Sequence, residues 1–260
     1  MLGLLNTVLS KGNTLLTYVK DGLVMANRFL TPPKLTFPVN GSAEFDGASD
    51  YISITSNDSI SGITEDFTIC FWGNLKSGKL NISKGLSDAT EEFRVQIWNS
   101  NIYFDVGNGS GPYIYPSIST AYNEWNYFAL TSKRTSGTTA LNAYKNGSKI
   151  TATTNGATNS HNTNDEPVFI GRFNTEYTNG NLANVAIWNR ALSSDEINSV
   201  MWKSYEALSG AESNGLQAWY SLDDITSPAA SLANMEQLAA DKEATIENKA
   251  AITAAINALS

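Results

Sequence analysis

The acidic residues are the first candidates for chemistry, because two carboxylates that face one cleft can hydrolyse a glycosidic bond. They occur as adjacent pairs: Glu65-Asp66, Glu91-Glu92, Asp165-Glu166, Asp195-Glu196 and Asp223-Asp224. Neighbours on a strand point to opposite faces of a sheet, so an adjacent pair is wrong for paired-carboxylate catalysis. We expect each pair to lie in a solvated loop or at a helix start.

Nucleophiles and metal ligands are scarce. The chain has one histidine, His161, and one cysteine, Cys70, which leave little material for a catalytic triad or a zinc site. Cys70 lies in the apolar run 67–75, where we expect a buried, unreactive thiol. No catalytic residue is assigned, and the sequence predicts a protein that is not an enzyme.

The charge balance limits the partners. The chain of 260 residues has 17 Lys and Arg against 25 Asp and Glu, a formal net charge of −8. Phosphate binding needs clustered basic residues. We therefore expect neither nucleic acid nor an anionic membrane surface as a partner.

Residues 1–35 read as an apolar arm. A signal peptide needs a positive start, whereas the first basic residue is Lys11, and further charges break any run long enough to span a bilayer. We expect a retained arm with no membrane insertion. Leu15, Leu16, Val19 and Leu23 recur at helical spacing, although Gly12 and Gly22 weaken a helix.

Residues 225–260 predict one long helix. Ser227 is a good N-cap, Pro228 suits the first helical position, and the rest is Ala-rich without Gly or Pro. Lys242 and Lys249 interrupt its apolar stripe, which favours a docked helix or small-residue bundle over a free coiled coil.

The arm and the helix together are interpreted as assembly elements, which predicts a homo-oligomer or a component of a larger particle. The imperfect heptad does not select a number of copies. The residues assigned to assembly are Leu5, Leu9, Leu16, Val19, Leu232, Met235, Ile252 and Ile256.

Between these segments the sequence predicts short strands. Phe67, Ile69 and Phe71 alternate with their neighbours at the period of a half-buried strand. Asn146-Gly147 predicts a type I′ hairpin turn. Ser193 to Glu196 has a capping-box pattern that opens a short helix, and residues 216–222 predict a last strand.

These elements resemble the laminin-G-like, concanavalin A-like jelly rolls. The resemblance implies an all-β, two-sheet antiparallel jelly-roll sandwich over residues 36–224, flanked by the apolar arm and the C-terminal α-helix. It rests on Phe45-Asp46-Gly47, Asp50-Tyr51, and the segments 67–72, 82–85, 124–130, 143–147, 169–171 and 185–193.

The resemblance also implies a candidate calcium site, since many such domains bind calcium through oxygen atoms of their loops. Asp46 matches the family's Phe-Asp-Gly aspartate, but Ala183 stands where the family often has a second aspartate. The alternative for Asp46 is a turn aspartate that caps its own backbone, and this reading is favoured. No other cofactor is expected.

Glycan binding is the function that the family suggests, and it needs exposed aromatic rings near amide and hydroxyl groups. Two turn-rich loops have these ingredients and supply Asn108, Tyr113, Tyr115, Arg172 and Tyr177 as candidates. The alternative is that the tyrosines are strand residues and that Asn, Gly and Ser merely mark turns.

Two functions follow. The first is a non-enzymatic structural protein of a phage-like virion, a head decoration, fibre or tail component, whose jelly roll projects outward with glycan contact as a secondary role. The second is a stand-alone carbohydrate-binding or adhesion module, which would be extracellular or on a cell surface.

Overall fold

A computed structural model describes residues 14–20, 23–29, 41–54, 66–88, 90–107, 111–119, 122–156 and 165–222. The chain divides into two compact units, Met1–Pro38 and Val39–Ser260. The predicted C-terminal helix, with its four assembly residues, lies outside the described residues, as do Leu5 and Leu9. Within the described part, no helix has the length and apolar character needed to cross a membrane.

The first unit contains an antiparallel hairpin of β1, Thr14–Lys20, and β2, Leu23–Phe29. The helix that the spacing of Leu15, Leu16, Val19 and Leu23 indicated was therefore wrong. Thr14, Thr17, Tyr18 and Val19 of β1 are β-branched or aromatic, and such residues favour strands over helices.

The second unit is the predicted antiparallel jelly roll, and the sandwich is confirmed. Its strands are β3 Ala43–Asp46, β4 Ile52–Ile54, β5 Phe67–Lys84, β6 Phe93–Trp98, β7 Asn101–Val106, β8 Tyr113–Ile114, β9 Trp125–Thr135, β10 Thr138–Lys145, β11 Ser148–Ile150, β12 Val168–Ile170, β13 Arg172–Phe173, β14 Glu176–Trp188 and β15 Leu216–Tyr220. Its helices are α1 Ser194–Val200, a 3-10 turn Tyr205–Ala207, and α2 Gly210–Ser213.

The long strand β5 belongs to both layers. Its first half pairs with β9 and β14, and β9 continues to β10 and β11. Its second half pairs with β6 and β12, and β6 continues to β7 and β8. The layers meet in an aromatic core, where the Phe67 ring lies 5.7 Å from that of Phe93 and 6.0 Å from that of Phe104.

The first half of β5 is buried on both faces, not on one as predicted. The outward residues Thr68, Cys70 and Trp72 are also buried. The segment around α1 covers them: Thr68 Oγ1 accepts from Leu192 N at 2.9 Å, and Trp72 Nε1 donates to Met201 O at 3.1 Å. Burial raises the pKa of Cys70 to about 12, as expected for an unreactive thiol.

Three local predictions are confirmed. Asn146 and Gly147 have φ of 50° and 78°, and they join β10 to β11 in a two-residue turn. Ser193 and Glu196 form the capping box of α1. The last strand, β15, starts at Leu216 and pairs with β14.

Glu91 and Glu92 contradict the expectation of a solvated pair, because both side chains are buried. Lys84 binds Glu92, with 2.8 Å between Nζ and Oε1. Glu91 lies 3.5 Å from the Arg94 guanidinium. Lys84 thus compensates the buried charge of Glu92, and the fold buries Glu91 beside Arg94, although the sequence pattern assigned both side chains to solvent.

Candidate functional site

A cavity of about 330 Å³ opens on the outer face of the layer formed by β5 to β8. We call it the aromatic cleft. It is lined by Lys79, Arg94, Gln96, Trp98, Tyr103, Tyr113 and Tyr115.

Strand alternation and register place these side chains together. In β6, Phe93, Val95 and Ile97 are buried in the core, so Arg94, Gln96 and Trp98 lie on the outer face. The register then puts Tyr103 of β7 opposite Gln96, and Lys79 of β5 on the other side, opposite Trp98. The core pattern of three strands therefore builds the cleft.

Aromatic rings form its exposed wall. Trp98, Tyr113 and Tyr115 are 41%, 37% and 45% exposed, unusually high for large aromatic side chains. The rings of Tyr103 and Tyr113 stack with centroids 5.9 Å apart, and Tyr115 meets Tyr103 edge-on at the same distance. Flat apolar surface is thus presented to solvent in one place.

Gln96 supplies an oriented polar group beside this wall. Its Nε2 donates to Asn81 Oδ1 at 2.9 Å and to Glu176 Oε2 at 2.8 Å. Because a carboxylate only accepts hydrogen bonds, the Glu176 contact fixes which end of the Gln96 amide carries hydrogen. Oε1 is therefore the acceptor end of this amide, on a residue that lines the cleft.

Lys79 is held at the same edge. Its ammonium bonds Glu176 Oε1 and lies 4.7 Å from the centroid of the Trp98 ring. Burial alone would raise the pKa of Glu176, but hydrogen bonds from Lys79 and Gln96 outweigh it and lower that pKa. Glu176 is therefore ionised at neutral pH and connects β5 to β6.

Arg94 forms the opposite edge. Its Nε and Nη2 bind the two oxygens of Asp105 at 3.2 and 2.7 Å. Its guanidinium lies 4.7 Å from the Tyr103 centroid and 4.3 Å from that of Phe173. Burial and the neighbouring Asp105 raise the pKa of Glu91 to about 9, so Glu91 is protonated beneath this edge at neutral pH.

The structure separates the predicted ligand-binding residues. Tyr113 and Tyr115 line the aromatic cleft, and Asn108 lies outside the described residues. Arg172 and Tyr177 pair across the β13–β14 hairpin. Neither lines the cleft, and the Arg172 guanidinium lies 4.8 Å from the centroid of the Tyr51 ring.

Asp46 is engaged by its own turn. Its Oδ1 accepts from the backbone N–H groups of Ala48, Ser49 and Asp50 at 2.8, 2.9 and 3.1 Å. These bonds, that from Ser49 foremost, lower the pKa of Asp46 to about 2. In the described part of the chain, no three His, Cys, Asp or Glu side chains gather as a metal-binding group. The geometry supports the capping role, and calcium binding remains a prediction.

Residues 46–198 match the model of a laminin-G-like family described as the concanavalin A-like lectin/glucanases superfamily. The chain belongs to this superfamily. A search of curated proteins finds no match.

Solved structures of other proteins are similar to this chain. A putative carbohydrate binding protein from Bacteroides ovatus has a TM-score of 0.51 at 16% identity, covering 84% of this chain and 62% of its own. A heptameric SAP-like pentraxin from Limulus polyphemus has 0.48 at 17%, covering 62% and 81%. The CBM40 of a Ruminococcus gnavus sialidase, bound to α2,3-sialyllactose, has 0.44 at 13%, covering 63% and 98%.

Sequence reasoning missed Lys79, Arg94, Gln96, Trp98 and Tyr103 of this concanavalin A-like domain. The alternation of Val95 and Ile97 with Gln96 and Trp98 was visible and marked an outer face. Which strands lie beside that face depends on register, and the sequence carries no local signal for it.

Proposed function

We propose that the protein is a non-catalytic carbohydrate-binding module and that the aromatic cleft is its binding site. The observation that carries the proposal is the exposure of Trp98, Tyr113 and Tyr115 around one cavity beside the oriented amide of Gln96. Protein surfaces rarely expose three large aromatic rings together without a ligand or partner to cover them.

Binding would follow from this geometry. The apolar C–H faces of a sugar ring pack against the aromatic wall, as apolar surface does on other exposed rings. Oε1 of Gln96 accepts a hydrogen bond from a sugar hydroxyl, and the spare hydrogens of the Lys79 ammonium donate to another. A few fixed polar groups within an apolar cavity are typical of small-ligand sites.

The carboxylates nearest the cleft support a binding role over hydrolysis. Glu176 is bound by Lys79 and Gln96, and Asp105 is bound by both arms of Arg94. Glycoside hydrolysis needs one carboxyl group with its proton available and a second free to act on the sugar or on water. Neither Glu176 nor Asp105 meets that need.

A glycan array followed by calorimetric titration of the best ligand tests the proposal. We expect Trp98→Ala to lose at least about fivefold in affinity, since stacking on an aromatic ring contributes about 1–3 kcal/mol in nucleic-acid-binding sites. Tyr122→Ala is the control, because Tyr122 is 51% exposed but lies outside the cleft. Equal affinity of the two variants would place binding elsewhere.

We also propose that the terminal segments serve assembly, in a virion structural protein or another surface-displayed oligomer. The β1–β2 hairpin lies in the first of the two compact units, Met1–Pro38, and a two-stranded hairpin alone is marginally stable. Another copy of the chain, or another virion protein, would supply further packing. The jelly roll would then meet glycan on a host surface.

Solution mass tests the assembly role. We expect the full chain to form a defined oligomer and residues 36–224 alone to be a folded monomer. If both are monomers, the assembly role fails and the stand-alone module remains.

A further inference from the structure

The charges in the aromatic cleft limit the class of ligand that it can bind. Among the described residues that line it, the cations are Lys79 and Arg94. The ammonium of Lys79 bonds Glu176, and its other near neighbour is the Trp98 ring. An acidic sugar would have to compete with a carboxylate already in place.

The guanidinium of Arg94 is paired with carboxylates more fully than the ammonium of Lys79 is. Asp105 takes Nε and Nη2 in a bidentate pair, and Asp88 accepts from Nη1 at 3.0 Å. The guanidinium plane lies against the rings of Tyr103 and Phe173. A bidentate pair is among the strongest hydrogen-bonded arrangements of an arginine with a carboxylate. Arg94 therefore contributes a flat surface, and its charge is already neutralised.

The surrounding carboxylates outnumber the two cations. Glu176, Asp105 and Asp88 bind them directly, which leaves the site at least one negative charge in excess. The sequence has no Lys or Arg from residue 95 to residue 132, so the rest of β6 and all of β7 and β8 add no positive charge. The chain as a whole carries a net charge of −8, which disfavours approach of an anion further.

We propose that the aromatic cleft selects uncharged saccharides over sialylated or sulfated ones, and that Glu176 sets this selectivity by neutralising Lys79. The inference rests on the proposed carbohydrate-binding function. An anionic sugar would bring a charge next to Glu176 and Asp105 without an unpaired cation to receive it. Juxtaposed like charges disfavour a partner strongly.

The test is a glycan array that presents neutral oligosaccharides beside their sialylated and sulfated derivatives, followed by titration of matched pairs. We expect each neutral ligand to bind at least about tenfold more tightly than its acidic derivative. We also expect its affinity to stay unchanged between about 0.05 and about 0.5 M salt, since no ion pair forms on binding.

Glu176→Gln supplies the second readout. Removal of this negative charge leaves Lys79 without its ionic partner, so the ratio of acidic to neutral affinity should rise several-fold. Asp195→Asn makes the same change in net charge in the exposed first turn of α1 and should leave the ratio unchanged.

The outcomes test the selectivity and the carbohydrate-binding function separately. Tighter binding of acidic glycans, weakened by salt, would overturn the selectivity and leave the carbohydrate-binding function standing. Equal shifts in Glu176→Gln and Asp195→Asn would overturn the role of Glu176. Binding of neither series would overturn the function, and the selectivity with it.

Discussion

Lys84 and Glu92 form an ion pair inside the jelly roll, with 2.8 Å between Nζ and Oε1 and side-chain exposures of 0% and 1%. Removing one partner leaves the other charge buried. We expect Lys84→Met to lower the free energy of unfolding by about 3–5 kcal/mol. Urea denaturation measures this loss.

Two comparisons isolate the pair. Lys76→Met removes a cation from the exposed pair with Glu44 and should cost at most about 1 kcal/mol. The double variant Lys84→Met/Glu92→Leu should recover much of the stability that the single variant loses, because no buried charge remains. Similar losses for Lys76→Met and Lys84→Met would contradict the buried-pair account.

Glu91 gives the protein a pH dependence of known sign. Burial, with repulsion from Asp105, raises the pKa of Glu91 from about 4.5 to about 9 in the folded state. The unfolded chain releases this proton near pH 4.5, so the stabilisation is complete below that pH and is lost as the pH rises to about 9.

Glu91→Gln mimics the protonated side chain and tests this. The free energy of unfolding of Glu91→Gln minus that of the unaltered protein should be larger at pH 9 than at pH 5. Urea unfolding of both proteins at both pH values measures this difference. Parallel stability curves for the two proteins across this range would show that Glu91 is ionised in the fold.

Gly147 couples the β10–β11 turn to α1. Its φ is 78°, and a Cβ there would lie 1.9 Å from Asn198 Oδ1. We expect Gly147→Ala to cost more than about 1 kcal/mol, through strain at positive φ and this clash. Thermal unfolding measures the change.

Gly137→Ala is the matched control. Gly137 has φ of 79° in another hairpin turn, but a Cβ there would meet no atom within 4 Å. The excess loss in Gly147→Ala therefore measures the contact with Asn198, and Asn198→Ala should remove that excess. Equal losses at the two glycines would mean that the turn and α1 are independent.

Asp46 should stabilise its turn without calcium. Asp46→Ala removes the acceptor for three backbone N–H groups, whereas Asp46→Asn keeps an oxygen there, so the alanine variant should melt at the lower temperature. Because the pKa of Asp46 is lowered to about 2, its contribution should persist until the pH falls toward that value. A melting temperature raised by calcium in the unaltered protein, but not in Asp46→Asn, would establish a metal site instead.

Local signals predicted local structure. Asn146-Gly147 needs only positive φ to form its turn, and the Ser193 capping box needs only residues within one helical turn, so both could be read from the sequence. The jelly roll was predicted from the resemblance of several segments, in their order along the chain, to the laminin-G-like family.

Features that depend on register could not be read in this way. Lys79, Gln96 and Glu176 meet because β5, β6 and the β13–β14 hairpin lie side by side, although 80 residues separate Gln96 from Glu176. The prediction of a solvated Glu91-Glu92 pair was wrong for the same reason, since the fold places the cations beside these two residues. In the N-terminal arm, apolar residues at helical spacing indicated a helix, whereas the β-branched and aromatic residues of β1 favour the strand that forms.

The pairing of β5 with β14 also has a consequence for synthesis of the chain. During translation, the first half of β5 leaves the ribosome more than 100 residues before β14, which pairs with one of its two edges, since Ile69 pairs with Ile187. Contacts of such high sequence separation slow folding. An apolar strand edge thus waits unpaired on the nascent chain, and this stretch is where we expect chaperone binding and misfolding to concentrate.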